Sequence, residues 1–180
     1  MKRNNGDLPM FSIENQTANF NSWNPRTELH GEERVPAADI KVDMAVSNDI
    51  LSMFDPTLKS LLYREPHAGE SDLVDQADDA PQLSRLRFPK IKNSIQWNYE
   101  LVGATVIIHN GLSGPKSDIE LDDCTVDKFV FDPQDGGTVH VSMRIQCKPS
   151  EKQAGRLYEL NGNTIELTIR PPEAEASLAA

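Results

Sequence analysis

From Val139 to Cys147 the chain reads "VHVSMRIQC", with Val139, Val141, Met143, Ile145 and Cys147 apolar and the residues between them polar. Side chains alternate between the two faces of a strand, so this is the pattern of a strand with one face buried and one wet. A helix would not hold residues two apart on one side. Just upstream, "DPQDGG" collects the residue types that tolerate tight backbone angles, and "CTVDKFVF" before it is again strand-like. The three segments predict a hairpin turning around Asp132–Gly137.

The same signature recurs along the chain. Ile40, Val42, Met44 and Val46 alternate with Lys41, Asp43 and Ala45. Ile95, Trp97, Tyr99 and Leu101 alternate too, and Gly103 interrupts before "ATVIIH". Ile119 and Leu121 begin a strand that runs on into "CTVDKFVF" after a bulge near Asp122–Asp123. In "ELNGNTIELTI", turn residues Asn161–Gly162 precede Ile165, Leu167 and Ile169. The expected class is mainly β (α+β), an antiparallel sandwich or barrel-like sheet with a short kinked helical element at about 49–63 packed on it.

That element is "SNDILSMFDPTLKSLLY", residues 47–63. Ile50, Leu51, Phe54, Leu58, Leu61 and Leu62 recur at three and four residues, a helical face. Pro56 cannot sit deep in a helix but suits its first position, and Asp55 before it is a favoured cap. Two short turns are therefore expected: one over Asp49–Met53 capped by Ser47 or Asn48, and a helix restarting at Pro56. A DNA-reading helix pair would need a basic face, and Lys59 is the only cation here before Arg64.

Residues 1–36 lack a sustained period and read as an extended or irregular arm, or one that forms a single short strand. Residues 37–170 read as a single β-rich domain, and residues 171–180, with two prolines, as a flexible tail. Charge is uneven: the chain carries a net −10. Half of that excess falls in residues 64–82, where Arg64 stands against Glu65, Glu70, Asp72, Asp75, Asp78 and Asp79. This stretch reads as a flexible acidic loop, and Asp72, Asp75, Asp78 and Asp79 are the candidates for contact with a basic protein partner. Such a balance argues against broad, non-specific DNA binding.

Chemistry-bearing patterns are sparse. The four histidines show no metal-ligand spacing, and "HNGLSGPKS" lacks the frame that wraps a phosphate. Asp118, Glu120 and Asp122 fall on one face of a strand, as solvent-facing residues do when Ile119 and Leu121 point inward. No serine or cysteine stands in a nucleophile's context. The expectation is no enzyme, no catalytic residue, no metal and no cofactor. Cys124 and Cys147 lack CxxC spacing and read as free thiols in a reducing cytoplasm. No apolar run spans a bilayer, and no secretory leader follows the basic start, so no membrane is expected.

The one basic cluster is "RLRFPKIKNSIQWNY", with Arg85, Arg87, Lys90 and Lys92 beside Phe88, Trp97 and Tyr99. Cations interleaved with stacking rings suit single-stranded nucleic acid, each stack being worth roughly 1–3 kcal/mol. The competing reading puts Trp97 and Tyr99 on a buried face with Ile95 and Leu101.

Three blocks, "ELHGEERVPAADIKVDMAVSNDILSMFDPTLKSLLY", "SGPKSDIELDDCTVDKFVF" and "GGTVHVSMRIQCKPSEKQAGRLYEL", resemble a family of small proteins of temperate phages and prophages. In that family they recur in this order, and they cover roughly residues 28–170 of this chain. The resemblance implies a protein encoded among early phage genes, near recombination and replication functions, and acting in the cytoplasm of a bacterial host. It carries no site residues with it. The leading expectation is a non-enzymatic binding protein that inhibits or modulates a host defence or nucleic-acid-processing complex. A single-stranded DNA-binding accessory for phage replication or recombination is the alternative. A virion subunit is the third, with a homo-oligomer possible in any case.

Overall fold

A computed structural model describes residues 10–70, 83–92, 94–109 and 117–173. In chain order the elements are β1 (Ile13–His30), β2 (Glu33–Ser47), a 3-10 turn (Asn48–Met53), α1 (Leu58–Leu62), β3 (Tyr63–Arg64), β4 (Arg85–Leu86) and β5 (Ile95–Trp97). They continue with β6 (Leu101–His109), β7 (Ile119–Pro133), β8 (Thr138–Cys147), α2 (Glu151–Leu160) and β9 (Thr164–Arg170). The fold is mainly β and antiparallel. In the sheet β7, β6, β9, β1, β2 and β8 follow one another, and pairing of β7 with β8 closes them into a six-stranded barrel. Of sandwich and barrel, the chain takes the barrel.

The chain forms two compact units. The larger comprises Met10–Met44, Asn98–Phe129 and Ser142–Ala180, which hold most of the barrel. Its core follows the alternation in the sequence: Ile40, Val42, Met44, Val106, Ile145 and Ile169 are among its buried side chains. Bulges adjust the register where two inward residues would otherwise fall out of phase. Gly103 does not end a strand; it sits inside β6 at φ +76, where the pairing with β7 shifts between Val102 and Ala104. The bulge expected near Asp122–Asp123 is present, with Asp123 at φ +51. Phe11 and Phe129 meet edge-to-face at 5.0 Å, and Tyr99 lies against Phe129 at 5.7 Å.

The arm expected over residues 1–36 needs correcting. Ile13–His30 is the longest strand of the barrel, pairing with β9 through Asn19 and with β2 from Asn19 to His30. Its composition hides it, because only Ala18 and Phe20 are fully buried. The backbone ladder, which is indifferent to side chains, holds the rest. Residues 151–160, where the sequence pattern predicts no helix, form α2. Ser150 and Gln153 make a reciprocal capping box there, and Leu157 is the one fully buried side chain.

The smaller unit comprises Met1–Pro9, Ala45–Trp97 and Val130–Val141. Ser47 caps the 3-10 turn, as expected. The helix restarts later than Pro56: α1 begins at Leu58, while the Asp55 carboxylate accepts from the Thr57 N–H at 2.8 Å and its hydroxyl at 2.6 Å. Phe54 and Trp97 lie against Phe131 at 4.8 and 6.3 Å. The "DPQDGG" turn is the hub of this unit. The Tyr63 hydroxyl shares its hydrogen between the carbonyls of Gln134 (3.0 Å) and Thr138 (2.9 Å). The Gly136 N–H donates to the Ser84 carbonyl at 2.8 Å, and the Asn48 N–H to the Gly137 carbonyl at 2.9 Å. Gly137, at φ +84, lies where an added Cβ would approach the Asn48 side chain at 3.6 Å.

Candidate functional site

The structure gives the four cations of the basic cluster different employments. Arg85, on β4, is a brace: its guanidinium donates to the Asp135 carboxylate at 2.9 Å and also to the Glu70 carbonyl. Asp135 accepts a second bond from the Leu86 N–H at 3.1 Å. Arg87 ties its segment to the end of α1, its N–H donating to the Leu62 carbonyl (2.9 Å) and its Nε to the Ser60 carbonyl (2.7 Å). Lys90 and Lys92 are exposed and form no ion pair with another described residue. Trp97 and Tyr99 are half-buried, Trp97 against Phe131 and Tyr99 against Phe129.

What the cluster does present is apolar. Phe88, Pro89, Lys90 and Ile91 form a turn closed by the Ile91 N–H on the Phe88 carbonyl at 3.0 Å. Proline at the second position presets the backbone angle such a turn requires. Phe88 and Ile91 are 62% and 59% exposed, and Leu61, between the two α1 carbonyls that Arg87 holds, is 61% exposed. Contiguous exposed apolar surface marks interaction sites, and Phe88 and Ile91 share one turn.

The acidic candidates Asp72, Asp75, Asp78 and Asp79 lie outside the described residues. The start of their stretch is ordered by a fork: Arg64 donates to Glu70 at 2.8 and 3.2 Å, and Glu70 accepts the His67 N–H at 2.9 Å. Arg64 first, and that N–H second, hold the Glu70 carboxyl down at about 2.

On the larger unit, two polar constellations join residues the sequence did not connect. Asp39 bridges Arg26 (2.9 Å) and Arg144 (3.5 Å), and Arg144 also forks onto Asp127 at 2.8 and 2.6 Å. Gln146 accepts from Arg26 at 3.2 Å and donates to Asp127 at 3.1 Å. A cleft of about 260 Å³ opens beside this network, between Val102, Asp123, Gln146 and Lys148. Its charged walls largely neutralise one another, with Glu28 taking Arg26 and, at 4.0 Å, Lys148.

The second constellation is the chain Asp118–His109–Thr168. His109 Nδ1 donates to Asp118 at 2.9 Å, and Nε2 meets the Thr168 hydroxyl at 2.9 Å. A nucleophile, a base and an orienting carboxylate stand in that relation in hydrolases. Here, however, Thr168 is 1% exposed, and its oxygen already accepts the N–H of Asn15 at 2.9 Å. Asn15 is the φ +48 residue at the bulge of β1, whose N–H leaves the ladder and needs an acceptor. The trio is a clasp across strand ends, and Arg156 of α2 grips the adjoining carbonyls of Ser117 and Asp118.

Cys124 and Cys147 are free and buried. Burial pushes the Cys147 thiol up to about 12 and the Cys124 thiol higher still, so neither is a thiolate at neutral pH. Among the described residues no three His, Cys, Asp or Glu side chains gather as a metal would need, and no helix is long and apolar enough to cross a membrane. Comparison with known proteins finds no family model, no curated protein and no solved structure that matches this chain.

Proposed function

We propose that this is a phage-encoded, non-enzymatic binding protein acting inside a bacterial cell, where it docks on a host protein complex that defends against or processes nucleic acid. The observation that carries the docking reading is the Phe88–Ile91 turn, which offers two large apolar side chains and Lys90 to a partner in a fixed geometry. Apolar anchors beside a polar rim are the anatomy of protein interfaces. The phage setting rests on the sequence resemblance.

The test passes host lysate over the immobilised protein and over its Phe88→Ala/Ile91→Ala variant. A partner held in stoichiometric amount by the first and lost by the second is the expected result. No partner, or equal retention by both, sinks the docking reading. A gel shift with labelled single-stranded DNA that disappears on replacing Lys90 and Lys92 would install the replication accessory in its place.

A further inference from the structure

Resting on that docking reading, we propose that the partner offers an apolar pocket rimmed by carboxylates, and that the Phe88–Ile91 turn is the plug that enters it. Shape is the first argument. Residues 87–92 are all exposed, so the turn is convex and its complement is concave. It is also stiff. Pro89 and the Ile91-to-Phe88 bond close it, and the two Arg87 bonds to the Ser60 and Leu62 carbonyls fix its base. A plug already in its bound shape loses little conformational freedom on docking.

Charge supplies the rim. Among the described residues of the smaller unit, Lys59 is answered by Asp49, Arg64 by Glu70 and Arg85 by Asp135, while Arg87 donates to the Ser60 carbonyl. Lys90, in the turn, and Lys92, one residue past it, have no such answer within the chain's described residues. A partner's carboxylates would supply it. Because the chain as a whole carries −10, an acidic partner is drawn to this turn and repelled by most of the remaining surface, which sets orientation as well as affinity.

Three other occupants fit less well. A second copy meeting the turn by two-fold symmetry would set lysine against lysine. Single-stranded nucleic acid would find one aromatic ring, Phe88, within the turn for stacking. An anionic lipid surface would attract the lysines, but it is an extended sheet of charge and not a concave site for a convex turn.

The experiment selects short, disulfide-closed random peptides displayed on particles against the immobilised full-length protein. Retained peptides should combine Asp or Glu with aromatic or aliphatic residues, and bind roughly tenfold more weakly to Lys90→Glu/Lys92→Glu or at raised salt. Both variants should melt as the parent does, since their sites are exposed. Neutral peptides that still require Phe88 and Ile91 would overturn the carboxylate rim and leave the docking surface standing. No retained peptide, or peptides indifferent to Phe88→Ala/Ile91→Ala, would overturn rim and surface together. Tighter binding of oligothymidine or phosphatidylserine vesicles, abolished by the lysine reversals, would overturn the pocket in favour of nucleic acid or lipid.

Discussion

On the barrel, Arg26 and Arg144 meet at Asp39 from either side, and Glu28, Asp127 and Gln146 engage their other guanidinium nitrogens. Around the Phe88–Ile91 turn, Lys90 and Lys92 meet no carboxylate among the described residues. The same contrast holds for rings: Phe11 and Phe129 are sealed together, whereas Phe88 stands in solvent. Groups that answer one another within the chain hold its shape. Groups that do not are available to something else.

The contrast predicts a gradient of mutational cost. Phe129→Ala should cost about 3–5 kcal/mol, because it empties a sealed site and strips the ring contacts of Phe11 and Tyr99. A thermal melt within a degree or two of the parent would show that the barrel core is not where stability resides. Tyr63→Phe should cost about 1–3 kcal/mol by taking the Tyr63 donor from the Gln134 and Thr138 carbonyls, of which Thr138 keeps the Gln134 N–H. Burial holds the Tyr63 hydroxyl at about 12, above the ordinary value near 10. Its contribution is therefore complete below about pH 10 and fades as pH climbs toward 12. Urea titrations of parent and variant should converge over that range.

Asp127→Asn should cost about 1–2 kcal/mol, a charge-assisted fork discounted for side chains that remain 20% and 15% exposed. A cost that survives high salt unchanged would mean packing rather than charge. Smaller again is the acid-range effect of Glu70. Its carboxyl sits near 2 when folded, below the ordinary value near 4.3, so its contribution is present above that value and lost as pH falls toward 2. Glu70→Gln should flatten the stability difference between pH 5 and pH 2.5, measured by urea unfolding. Least of all, Phe88→Ala/Ile91→Ala should shift stability by no more than about 0.5 kcal/mol. A large loss there would erase the contrast, since the turn would then be structural.

How far the sequence discloses this molecule depends on whose side chains do the work. Ile40, Val42 and Met44, or Val139 through Cys147, announce their strands because alternate positions are buried. β1 stays hidden because its polar residues hang from a backbone ladder and only Ala18 and Phe20 report the core. α2 has a single buried anchor, Leu157, too few for a helical face; the readable sign was Ser150 three residues before Gln153. The basic cluster was legible as a composition. Which cations remain free was not, because Arg85 is claimed by Asp135, fifty residues away, and Arg87 by Ser60, twenty-seven away. The His109 clasp likewise needs Thr168 from fifty-nine residues along the chain.

The seam between β1 and β9 has a consequence for how the barrel is made. Glu14 and Arg170, whose side chains bond across that seam, lie 156 residues apart. During synthesis β1 emerges first, and its β9 neighbour follows only after most of the barrel has left the ribosome, a delay on the order of ten seconds. Until then the early strand keeps one flank of backbone donors and acceptors bare. Folding of such distant pairings is slow as well as late. The polar, asparagine-rich lettering of β1 then has a kinetic value: it keeps a waiting strand in solution rather than in the grip of another nascent chain.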